Sequence, residues 1–125
     1  MSEKIIISSL PKTWILDLDG TIVKHNGYKL DGYDTLLPGA KEFLADIRSE
    51  DMVIFVTSRK EAYRKMTLDF LNEQGIRYDH IIFNAPYGER ILVNDRKPSG
   101  LPTAIAFSTE RDRCMEVVFV EDETL

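Results

Sequence analysis

Lys12-Thr13-Trp14-Ile15-Leu16-Asp17-Leu18-Asp19-Gly20-Thr21 is the stretch that decides how the rest of the chain is read. A largely apolar run stops at two carboxylates one residue apart, followed by a glycine and a hydroxyl. In an extended segment alternate residues face the same side and rise about 3.3 Å each, so Asp17 and Asp19 begin two rises apart on one side. Gly20 lets the backbone bend and come close to a ligand. A strand that ends this way is suited to hold a metal and a phosphate. By average residue usage the pattern D-x-D-G-T arises by accident in about one chain per thousand of this length, so it outweighs a generic polar turn.

With 125 residues the chain has room for one core and is read as a single domain over 1–125. Hydrophobic content of 43% and charged content of 30% are ordinary for a globular protein. A net charge of −5 argues against non-specific nucleic-acid binding, which needs a basic face, so no nucleic-acid partner is expected. Cys114 is the single cysteine; no internal disulfide can form, and a reducing, cytoplasmic location is the expectation. Ile5-Ile6-Ile7 is too short to target or span a membrane, and no membrane partner is expected.

Outward from the opening stretch, apolar runs alternate with helical patterns, which predicts an α/β domain with a mostly parallel sheet. Residues 12–18 read as a strand covered on both faces. Residues 23–37 read as a loop or small hairpin, and Pro38 as the opening of a helix to about residue 50. Met52-Val53-Ile54-Phe55-Val56 is a second strand, residues 60–74 a helix stopped by Gly75, and His80-Ile81-Ile82-Phe83 a third strand. Arg90-Ile91-Leu92-Val93 is a fourth, running into Asn94-Asp95, and residues 103–107 and 116–120 read as edge strands.

Three of these strands end in polar groups: Asp17 and Asp19, Thr57, then Asn94 and Asp95. In an open α/β sheet the carboxyl ends of parallel strands share one edge, where ligands bind. Three carboxylates gathered there repel unless a cation sits among them. Magnesium suits such an all-oxygen site, whereas the histidine and cysteine ligands of a softer metal are missing from these strand ends.

This arrangement closely resembles the haloacid dehalogenase-like superfamily of phosphotransferases. Asp17 through Thr21 match its first motif, Val53-Ile54-Phe55-Val56-Thr57 its second and Leu92-Val93-Asn94-Asp95 its fourth, in the right order. The resemblance implies a Rossmann-like three-layer sandwich and a magnesium-dependent phosphatase working through an aspartyl-phosphate. It implies Asp17 as nucleophile and Asp19 as general acid and then base. Thr57 and backbone N–H groups of Leu18, Asp19 and Ser58 would hold the phosphate. Mg²⁺ would be held by Asp17, Asp19 and Asp95, with Asn94 orienting Asp95.

The third motif departs from the pattern. The family places a basic residue near the attacked phosphate, often a lysine shortly before the fourth motif, and Asn84-Ala85-Pro86-Tyr87-Gly88-Glu89-Arg90 has none. Arg90, Arg59, Lys65 and Lys97 are the candidates, with Arg59 favoured because it follows Thr57 by two residues and begins a helix. Lys24 and His25 lie on the loop after Thr21 and are candidates for substrate contact. Only about 16 residues separate Thr21 from Pro38, which leaves no room for a cap domain. An open site of that kind suits either a bulky substrate or closure by a neighbouring subunit, and a homo-oligomer is expected. The wording around Pro38-Gly39 and Asn94 to Gly100 also resembles small capless members linked to bacterial surface-polysaccharide biosynthesis. That looser likeness points to a small-molecule phosphate ester, a phosphorylated sugar or sugar-derived intermediate. The alternatives are a phosphotransferase or mutase, and a non-catalytic phosphate-binding module.

Overall fold

The computed structural model describes residues 3–125. Its elements in chain order are β1 (Glu3–Ile7), β2 (Thr13–Asp17), α1 (Gly27–Leu30), α2 (Ala40–Ala45), β3 (Met52–Val56), a 3-10 turn (Glu61–Tyr63), α3 (Arg64–Glu73), β4 (His80–Ile82) and β5 (Val117–Glu121). The pairings between these strands are parallel: β2-β3-β4 form one sheet, β1 and β5 a second. The α/β class with a parallel sheet therefore holds.

Burial alternates along β3, with Val53 and Phe55 sealed and Met52, Ile54 and Val56 open in part. Leu16, Val53 and Phe55 on the sealed face meet Ala40 and Leu71, and Phe43, Leu44 and Phe70 of α2 and α3 pack around them. Ile15 on β2 and Ile82 on β4 remain half exposed on the opposite face. This differs from the expectation of a β2 covered on both faces, because both longer helices lie against one side. Trp14 packs edge-on to Phe43 and Phe119 and donates its indole N–H to Asp51 at 2.9 Å, a core role.

Several boundaries shift for local reasons. Helix α2 starts at Ala40 rather than Pro38, because Gly39 adopts a left-handed φ of 85°. The expected loop over 23–37 holds the four-residue α1 and an antiparallel bridge between Val23 and Leu36, a minimal hairpin. Residues 90–93 and 103–107 form no strand. Arg90 is tied to Asp17, and the apolar run behind it is too short to bury itself, leaving Ile91 86% and Val93 88% exposed. Beyond it, Gly100 N–H to Lys97 and Lys97 N–H to Leu101 close a local turn that satisfies the backbone without a sheet.

Candidate active site

The register of β2 with β3 pairs Asp17 with Val56, so Thr57 emerges beside Leu18 and Asp19 at the same end of the sheet. Past β2 the chain turns back on one carbonyl: the Leu18 oxygen accepts from Ile22 N–H at 3.0 Å and Val23 N–H at 3.1 Å. Gly20 takes a φ of 83° to make this turn, a conformation that costs an L side chain steric strain. The loop thus folds Thr21 over the strand end, where its hydroxyl donates to Asp17 Oδ2 at 3.1 Å.

Each carboxylate of the pair meets its own arginine. Arg90 Nη1 donates to Asp17 Oδ1 at 2.8 Å in a half-exposed contact. Arg59 grips Asp19 from two nitrogens, Nη2 to Oδ1 at 2.9 Å and Nε to Oδ2 at 3.1 Å. The same guanidinium donates to both oxygens of buried Asp34 and to the Thr67 hydroxyl, and lies 4.0 Å from the centre of the Tyr28 ring. Burial by itself would lower the Arg59 pKa. The hydrogen bonds it donates to Asp34 and then Asp19 more than offset this and raise it above the ordinary arginine value.

Asp17, Asp19, Ser58, Arg59, His25 and Arg90 line one pocket of about 430 Å³. Thr57 and Leu18 are buried behind it; the Thr57 hydroxyl donates to Asp19 Oδ2 at 3.2 Å and accepts the Arg59 N–H at 3.1 Å. That hydroxyl thus links Asp19 to the Arg59 backbone. Lys24 is paired with Asp31 and Lys65 with Asp69, neither of them lining the pocket.

Asp95 is not brought to the site. It sits in exposed chain beyond residue 93, where its carbonyl accepts from the Thr103 hydroxyl and its N–H donates to Asn94 Oδ1. Asn94 itself donates to the Thr103 carbonyl, and Lys97 is exposed in the following turn. The physical reason is the missing fourth strand, without which nothing carries residues 94 and 95 to the sheet end. Among the described residues no three His, Cys, Asp or Glu side chains gather to hold a cation. The magnesium ligand set of Asp17, Asp19 and Asp95 is therefore not assembled, and both Asp17 oxygens already have protein partners.

Residues 12–90 match the family model described as NLI interacting factor-like phosphatase, more than half of the chain. The chain belongs to this family. No curated protein matches it. Two solved structures are similar to this NLI interacting factor-like phosphatase. One, described as the Pnkp1/Rnl/Hen1 complex, has a chain 31% identical over 68% of this sequence, with a TM-score of 0.51. The other, described as the Pnkp1/Rnl/Hen1 RNA repair complex, is 31% identical over 67%, with a TM-score of 0.52. The chain spans 32% and 29% of those chains.

These neighbours overturn the expectation of a small-molecule partner with no nucleic acid, because the assembly they come from is one of RNA repair. Net charge averages over the surface and does not describe the pocket. The pocket itself is lined by Lys29, Arg59, Lys60, Arg90 and Arg111 against two carboxylates, while the whole chain carries −5. Lys29, Lys60, Arg111 and the buried Asp34 belong to none of the sequence motifs. No local pattern marks them, and only packing brings them to the site.

Proposed function

We propose that this chain hydrolyses phosphate monoesters through Asp17. The observation that carries the reading is the pairing of Asp17 with Arg90 at 2.8 Å beside an Asp19 held by Arg59, in a pocket open to solvent. An Asp17 oxygen attacks phosphorus, and the bond to the ester oxygen breaks as that oxygen takes a proton from Asp19. Water then gives a proton to Asp19 and attacks the aspartyl-phosphate, releasing inorganic phosphate and restoring Asp17. Arg90 and the Ser58 region supply donors for the charge that builds on the phosphoryl oxygens. Membership of a phosphatase family supports the same chemistry.

Phosphate release from an aryl phosphate, lost in Asp17→Asn, tests this; equal rates in the wild type and the variant reject it. The magnesium requirement implied by the sequence resemblance is a separate arm, decided by running the assay with MgCl₂ and with EDTA. The ion would supply charge neutralisation at the phosphate, and Asp17 and Asp19 are the members of its expected ligand set that lie together. A cytoplasmic location is part of the reading, resting on the lone Cys114. No helix among the described residues is long and apolar enough to cross a membrane.

A further inference from the structure

Two of the five cationic side chains in the pocket face the carboxylates, Arg59 on Asp19 and Arg90 on Asp17. The other three have no such partner: among the described residues no ion pair involves Lys29, Lys60 or Arg111. Lys29 Nζ lies 5.6 Å from the centre of the Tyr28 ring and Lys60 Nζ 5.8 Å from that of Tyr87, which is 82% exposed. Arg111 comes from far along the chain and is held in place. Asp112 N–H donates to the Gly20 carbonyl at 2.8 Å, and the Asp112 carboxylate accepts the His25 N–H at 2.7 Å. That double tether sets the Arg111 side chain against Gly20, 3.4 Å from where a β-carbon there would lie.

A monoester with one phosphate uses the charge next to Asp17 and Asp19. Three further cations around the mouth, with an exposed aromatic ring among them, are suited to a second phosphate and to a planar base. We propose that this rim holds the backbone phosphate next to the one removed, so that the substrate is the phosphorylated end of a single-stranded oligonucleotide. Lys29, Lys60 and Arg111 take the adjoining phosphodiester, and the terminal base lies on Tyr87. This rests on the phosphatase reading above and gives its site a substrate class. The same cations could receive the second phosphate of a sugar bisphosphate, which has no base to place on Tyr87.

The test compares kcat/KM of the full chain for short oligouridylates phosphorylated at either end, for a sugar bisphosphate and for an aryl phosphate. One oligonucleotide is expected to exceed the aryl phosphate by on the order of tenfold or more, and the ratio to collapse in a Lys29→Gln, Arg111→Gln variant. Equal values for oligonucleotide and aryl phosphate, or a bisphosphate that matches the oligonucleotide, overturn the proposal. Loss of all turnover would instead count against the phosphatase reading, so binding is measured independently. Anisotropy of a labelled, phosphorylated oligouridylate on Asp17→Asn protein should weaken with salt, with a log–log slope of about 0.7 per cation engaged. Binding that ignores salt, or is unchanged by the Lys29 and Arg111 substitutions, overturns the rim.

Discussion

Arg59 and Asp34 form a two-point ion pair sealed from solvent, Nη1 to Oδ2 at 2.9 Å and Nη2 to Oδ1 at 2.6 Å, with each side chain 1% exposed. The guanidinium that Asp34 holds also holds Asp19, so a residue outside the pocket sets the position of one inside it. Thr67 and the Tyr28 ring complete the packing around Arg59. The candidate general acid is thereby fixed to the core.

Replacing Asp34 with alanine leaves Arg59 buried with part of its charge unmatched. Removing one partner of a buried pair costs about 3–5 kcal/mol. The midpoint of urea unfolding measures it, and a loss below about 1 kcal/mol, the range of an exposed pair, would show that the pair is not sealed in solution.

Arg90→Gln should separate stability from activity. Its contact with Asp17 is half exposed, and such pairs contribute about 0–1 kcal/mol to folding. Loss of a charged donor at the transferred phosphate costs on the order of a hundredfold in kcat. An unchanged kcat would mean that Arg90 is only a surface partner of Asp17.

The Thr57 hydroxyl joins two parts of the site, donating to Asp19 and accepting from the Arg59 backbone. Thr57→Val keeps the shape and removes both bonds, a loss of about 1–3 kcal/mol, while Thr57→Ser should recover most of it. Calorimetric melting of the two variants side by side makes the comparison.

At Gly20 a side chain would combine a φ of 83° with contacts to Arg111 and His25 at 3.4 and 3.7 Å. Gly20→Ala is expected to destabilise by about 1 kcal/mol or more through strain at positive φ. It should also raise KM for any phosphorylated substrate. A variant as stable and active as the parent would show that the loop relaxes freely.

Burial pushes the Cys114 thiol above its ordinary value, so its thiolate is scarce near neutral pH. Alkylation by iodoacetamide should therefore be slower than for a free cysteine at pH 8. The rate should climb with pH to a midpoint above that of an exposed thiol. A midpoint at or below the exposed value would place Cys114 at the surface.

The strands nearest the site were legible in the chain itself. Met52–Val56 is where the apolar run places it, and the helical pattern over 60–74 becomes the turn and helix over 61–73. Those segments have enough contiguous apolar residues to bury a face against each other. The runs at 90–93 and 103–107 look similar on paper yet stay in exposed coil, because a short strand is stable only when a neighbour's edge receives it. Strand β1 went unrecognised for the converse reason: Glu3–Ile7 becomes a strand only by pairing with Val117–Glu121 at the far end of the chain.

Local order along the backbone determined that Asp17 and Asp19 share the end of a strand, that Gly20 turns the chain there and that Thr57 follows a second strand. Those features depend on residues a few positions apart, within reach of strand geometry. Tertiary structure alone decided which charges face the two carboxylates and which carboxylate stays away. Arg59 reaches Asp19 across 40 residues and Arg90 reaches Asp17 across 73, while Asp95 is left in the exposed loop. Charge is not directional along a sequence; an arginine's partner is whichever carboxylate packing sets within hydrogen-bond reach, and no spacing of residue types records that.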